Sequence, residues 1–167
     1  MKVLILYATK HGATEKCAKI LAGKLRGEVD LCNLKAMKSI DFAQYQKVII
    51  GGSVYMGKIQ KEVSEFCLKN MNVLKEKEIG LFICCMKDKD DAVTQLQSCF
   101  PQEVLMKASV KECFGGEFIF GKMNFIEKFI VKKVAKTDKD LSKISIESID
   151  RFAQAMNGDV RPNKSTK

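Results

Sequence analysis

Two threonines, a lysine, a histidine and a glycine fall within six consecutive positions, Thr9, Lys10, His11, Gly12, Ala13 and Thr14, between an apolar run and an amphipathic one. Hydroxyl groups, a glycine that lets an anion approach the backbone, and the free N–H groups of a following helix together make a phosphate cradle. The loop lacks the GxGxxG spacing of a dinucleotide site and the GxxxxGK(S/T) spacing of a nucleoside triphosphate site, so it suits a monophosphate. A competing reading makes Thr14 no more than a cap on the helix that follows.

Two further clusters could wall a flat ring. One is the glycine-rich stretch that continues into Ser53, Val54, Tyr55, Met56 and Gly57, and the other is Cys84, Cys85 and Met86. Tyr55 or Met56 could pack on an aromatic face, although Tyr55 reads equally well as an exposed loop residue. Adjacent Cys84 and Cys85 fit a strand end better than redox chemistry, because a vicinal disulfide is strained. Lys10 and His11 are read as anion contacts and not as catalysts. With one histidine in the chain, no Ser–His–Asp or Cys–His set can be assembled, and Asp90 with Asp91 reads as a helix start. No metal site is expected, since the seven cysteines are scattered, odd in number and free of any CxxC.

The elements that would position these loops alternate regularly. Apolar runs at 2–7, 47–52 and 79–85 and weaker ones at 28–34 and 110–117 read as five strands. Helical spacing appears at 13–25, 60–70, 90–100 and 145–157. Buried strands alternating with helices imply a doubly wound α/β parallel sheet, and the order 2-1-3-4-5 places all three loops at the carboxyl ends of the strands. One domain over 1–158 is expected, with a frayed polar tail at 159–167.

Residues 118–143 are surplus to that plan and form a helical insert before the last helix. Its helix, 124–136, carries Phe125, Ile126, Phe129, Ile130 and Val134 at three- and four-residue intervals, with Lys128, Lys132, Lys133 and Lys136 expected on the opposite face. The net charge of +9 speaks to partners and not to fold: an anionic membrane surface or an acidic small substrate. Nucleic acid is the weakest candidate, as no binding motif accompanies the charge. The first apolar run is too short for a signal peptide and no stretch could span a bilayer, so a reducing cytoplasm is expected.

The segments KVLILYATKHGAT and KVIIGGSVYMG resemble the flavodoxin family. Within it the chain is most similar to the flavodoxin-type, menaquinone-dependent protoporphyrinogen oxidases, through the TxxGxT loop, IGGSVYMGKIQKEVSEF, and FGGEFIFGKMNFIEKFIVKKVAKTDKD. The resemblance implies FMN, with Thr9 through Thr14 on its phosphate and Ser53 through Gly57 and Cys84 through Met86 beside its isoalloxazine. It implies oxidation of protoporphyrinogen IX with a quinone as acceptor; the lysine-rich amphipathic insert could then lie at the inner face of the cell membrane, or pack on the domain with its lysines in water. His11 stands where electron-carrier flavodoxins usually have a hydroxyl, and their flanking tryptophan is absent. The alternative is a non-catalytic electron carrier, although such carriers are generally acidic.

Overall fold

Strand β1 (Lys2–Ala8) is buried from Val3 onward, as a strand covered on both faces must be. The computed structural model describes residues 1–159, and the expected frayed tail lies outside them from residue 160 on. Parallel neighbours flank β1 on both sides, β2 (Glu28–Asn33) and β3 (Lys47–Tyr55). A two-residue strand β4 (Lys58–Ile59) folds back on β3, and β5 (Glu78–Cys84) and β6 (Val110–Cys113) complete the sheet. The order β2-β1-β3-β5-β6 is the anticipated 2-1-3-4-5 pattern with one antiparallel hairpin strand interposed in the numbering.

Alternation along each strand divides the core in two. Leu4, Leu6, Val48, Ile50, Leu81 and Ile83 face one side. There they meet helices α2 (Lys61–Lys69), α3 (Met71–Leu74), α4 (Lys89–Cys99) and α5 (Gln102–Lys107). Val3, Ile5, Ile49 and Phe82 face the other side, against helix α1 (Ala13–Ala22) and the closing helix Ile146–Asn157. On this second side Phe82 and Phe114 stack with centroids 4.5 Å apart, and Phe152 meets Phe114 edge-on at 5.3 Å.

Phe82 lies opposite Gly51 in the β3–β5 register. A Cβ on Gly51 would enter the van der Waals envelope of the Phe82 ring. Gly51→Ala is therefore expected to destabilise the protein by about 1–3 kcal/mol through overpacking, read as a lower denaturant midpoint at unchanged slope.

Beyond β6 the chain departs from the expected strand 110–117. Residues 114–116 bond to the returning chain, with Ser145 N–H donating to the Phe114 carbonyl and Lys143 N–H to that of Gly116. This pairing isolates a short ladder, β7 (Glu117–Phe118) with β8 (Leu141–Ser142), at the base of the insert. Between them runs α6 (Phe125–Ala135), and α7 (Ile146–Asn157) follows.

Of the two placements its periodicity allows, helix α6 does not take the one with the apolar stripe packed on the domain. Glu127 and Val131 face the domain, while Phe125 (86% exposed), Ile126, Phe129 (62%) and Val134 face solvent. Lys132, Lys133 and Lys136 are exposed beside them, and Lys128 is half-buried. A carboxylate that finds cationic partners on the domain outcompetes the apolar stripe for the inward position.

Candidate functional site

The loop between β1 and α1 is built around Gly12, whose φ of +100° only glycine adopts without strain. Its N–H donates to Thr9 Oγ1 at 2.9 Å, folding the loop back on itself. Gly12 is also the residue that begins α1, and no side chain caps that helix. Thr14 lies one residue inside α1 and is fully buried, so it is not the cap. The first-turn N–H groups of α1, with the positive end of the helix dipole, are left for an anion.

Thr14 Oγ1 and Ser53 Oγ are buried with no hydrogen-bond partner. A buried hydroxyl left unpaired costs about 1–3 kcal/mol, so two of them, one in the first turn of α1 beyond β1 and one near the end of β3, suit an external acceptor at these adjoining strand ends. Those strand ends form the point where the sheet's connections reverse direction, the usual ligand position in such folds.

Thr9, Lys10, His11, Ala13, Ser53, Val54, Tyr55, Cys84, Cys85 and Met86 line one cavity of about 70 Å3. The structure thus brings together residues drawn from all three loops. Gly12 and Thr14, in the loop turn and the first helical turn, are not among the residues that line it. Met56 (73% exposed) and Gly57 lie outside it, because both take positive φ in the tight turn that closes the β3–β4 hairpin. The Gly57 carbonyl instead accepts a hydrogen bond from Gln95 Nε2 at 2.8 Å. Cys84 is buried against Cys17, and that contact together with burial pushes its thiol well above the ordinary range. It is an apolar wall and not a nucleophile.

The insert supplies the roof. Gly116, Glu117, Phe118, Met123 and Val131 line the same cavity, and none was singled out from the sequence. Glu127, 3% exposed, contacts Lys10 Nζ and lies 3.4 Å from His11 Nε2. Burial pushes its carboxyl up, but hydrogen bonds from Lys10 and the Asn124 N–H and the nearby His11 outweigh that and leave it lowered. Asn124 and Glu127 form a reciprocal capping box, which fixes the start of α6. Lys10 Nζ also lies 3.7 Å from the centroid of the Tyr55 ring, a cation–π contact linking the first and second loops. Lys122 Nζ stands 3.2 Å from where a Cβ on Gly12 would be, which adds a second lysine at the loop. Among the described residues no cluster of three or more His, Cys, Asp or Glu could hold a metal ion, and no helix is long and apolar enough to cross a membrane.

An uncapped helix start at the reversal point of a five-stranded parallel sheet defines a mononucleotide-type α/β protein. The chain belongs to the flavodoxin domain family, whose model matches residues 4–145. It is 22% identical to the Escherichia coli K12 protein named protoporphyrinogen IX dehydrogenase (quinone), over 92% of this chain and 93% of that one. Among solved structures it is similar to a flavodoxin of Streptococcus pneumoniae TIGR4, with a TM-score of 0.56, 19% identity, and coverage of 96% of this chain and 100% of that one. Oxidised flavodoxin 1 of Bacillus cereus gives 0.51 and 13%, with coverage of 94% and 96%. At such identities the structural likeness establishes the fold.

Proposed function

We propose that this chain binds FMN non-covalently and acts as an oxidoreductase that takes electrons from protoporphyrinogen IX and delivers them to a quinone. The observation that carries the cofactor is the pair of buried, partnerless hydroxyls of Thr14 and Ser53 beside the uncapped start of α1. Residues Thr9 through Thr14 would hold the phosphate, and Ser53, Val54, Tyr55, Cys84, Cys85 and Met86 would flank the ring. When bound, FMN supplies the redox chemistry; the protein binds, orients and shields it. The roof from the insert excludes water, and Lys10 and Lys122 offset negative charge at the loop. Support for the substrate comes from the Escherichia coli relative, whose similarity runs through the insert and not the flavin loops alone.

The outer face of α6 supports a peripheral membrane position. Phe125, Ile126 and Phe129 project to solvent beside Lys132, Lys133 and Lys136. Rings and branched chains can enter the lipid interface, and each cation gains about 1 kcal/mol near anionic lipid. The double variant Phe125→Ser, Phe129→Ser is expected to bind FMN normally and to cosediment several-fold less with anionic vesicles. Equal sedimentation would remove the membrane role from α6.

The decisive experiment gives the FMN-loaded protein protoporphyrinogen IX and a menaquinone analogue without oxygen. Porphyrin fluorescence should appear at a rate proportional to protein. Retention of FMN and normal exchange with a flavodoxin reductase, with no porphyrin formed, would make the chain an electron carrier.

A further inference from the structure

A second cavity, about 510 Å3, lies on the other side of Cys85 and Met86, between the starts of α4 and α7. Cys85 and Met86 belong to both cavities, so they form part of the wall between them. The larger cavity also exposes Cys113, the last residue of β6, whose Sγ lies 3.3 Å from that of Cys85. Ile83 registers with Cys113 across the parallel pair β5–β6, and Cys85, two residues on, shares the sheet face of Ile83. Both thiols therefore sit at strand ends, on one face, in contact. Of the seven cysteines, all unpaired, they are the two that line this cavity.

The cavity is cationic. Lys87, Lys111, Lys143 and Arg151 line it, against Asp88 and Glu112. Arg151 is engaged by Glu147 and Glu112, and the Lys111 ammonium donates to the Leu105 carbonyl. Lys87 and Lys143 have no ion-pair partner among the described residues, which leaves two cations for a ligand. The volume is in the range of small-ligand sites, about 300–1,000 Å3, and suits a short peptide.

We propose that Cys85 and Cys113 form a thiol–disulfide exchange centre whose substrates are acidic, peptide-sized disulfides bound in this cavity. The Cys113 thiolate attacks one sulfur of the substrate; the substrate S–S bond breaks and one thiolate leaves and takes a proton. Cys85 then loses its proton and attacks Cys113 Sγ, a second thiolate leaves, and the Cys85–Cys113 disulfide remains. Two electrons pass from the two cysteines to the substrate, which ends as two thiols. The roles of the two sulfurs follow from their surroundings. A hydrogen bond from the Cys85 thiol, aided by the Gly115 N–H, holds Cys113 below the ordinary thiol value despite burial. The same bond and burial raise Cys85, which suits the resolving partner. Bond formation needs the sulfurs to approach from 3.3 Å by about 1.3 Å to reach disulfide length, within reach of two side chains at strand ends. Because Cys85 also borders the smaller cavity, its oxidation alters a wall of that site.

The fully reduced full-length protein, with and without FMN, is treated with oxidised glutathione and mapped by mass spectrometry. A Cys85–Cys113 cross-link is expected with no retained adduct, and Cys85→Ser should accumulate one glutathione on Cys113. Cystamine, a cationic disulfide, should react at least tenfold more slowly, and Lys87→Gln with Lys143→Gln should narrow that ratio. Cys32 is the internal reference, being equally half-buried but with its thiol raised by burial. In Cys85→Ser, adducts on Cys32 as abundant as on Cys113, or no cross-link in the unmodified sequence, would overturn the proposal. Equal rates with the two disulfides would overturn its acidic-substrate part. The cross-link is read on the unmodified sequence, so it does not depend on how the variants fold, and it is independent of flavin turnover.

Discussion

Thr14→Val is expected to weaken FMN binding by one to two orders of magnitude while slightly raising the apoprotein's unfolding midpoint. Valine keeps the shape of threonine and removes the hydroxyl, which is fully buried and has no partner in the protein. Removing an unsatisfied buried hydroxyl relieves part of a desolvation cost of about 1–3 kcal/mol in the apoprotein. In the complex the same change deletes a hydrogen bond to an anionic phosphate, worth about 1.5–3 kcal/mol and hence roughly 10- to 150-fold in affinity. The opposite signs separate a ligand-binding role from a structural one. A structural hydroxyl would lower the midpoint on removal and leave affinity nearly unchanged. Calorimetric FMN titration and thermal unfolding of the apoprotein measure both quantities on one preparation.

The sheet was legible because its strands are nearly continuous apolar runs, and the loops follow once strand order is set. Thr9, His11, Ser53, Tyr55 and Cys85 come together from three distant stretches because parallel strands deliver their carboxyl ends to one edge. Short elements were harder. Helix α5 and the ladders β3–β4 and β7–β8 are too brief to carry periodicity, and β7 became visible only through its pairing with β8. Residues 102–107 gave no signal beyond a proline at 101, which stands just before the helix begins.

Helix α6 shows why a moment can mislead. Its apolar spacing allowed a Phe–Ile stripe either at a membrane surface or packed on the domain, and the stripe is exposed because burial follows the strongest set of contacts and not the most hydrophobic face. Glu127 is the one acid among the five lysines between Lys122 and Lys136. On the sequence it looked like a minor interruption of a cationic face. Its spacing from Asn124 is that of a capping box, which marked the helix start but not its rotation. That rotation is set by Lys10 and His11, more than a hundred residues away, and no local pattern could supply it.

Glu127→Gln is expected to accelerate FMN association by about two orders of magnitude. The cavity under the roof is about 70 Å3, well below the roughly 300 Å3 at the small end of ligand sites, so FMN entry requires the insert to lift. The contacts of the Glu127 carboxylate with Lys10 and His11 oppose that motion, and both change character when the charge is removed. A charge-assisted hydrogen bond such as that from Lys10 contributes about 1.5–3 kcal/mol, so a net loss of about 2–3 kcal/mol multiplies the open population by roughly 30 to 150. Acid should imitate the variant. The Glu127 carboxyl is lowered in the folded, closed state. The clamp is therefore complete above the ordinary carboxylate value and is lost only as pH falls through the lower, folded one. Association with the unmodified protein should accelerate as pH falls below the ordinary carboxylate range, while Glu127→Gln should stay fast and nearly flat. A phosphate monoester keeps a nearly constant single charge in that window, since its second pKa is about 6. Stopped-flow mixing with FMN reads both arms. Equal rates for the two proteins at neutral pH would show that FMN enters without breaking this contact, and the insert would then be a fixed wall.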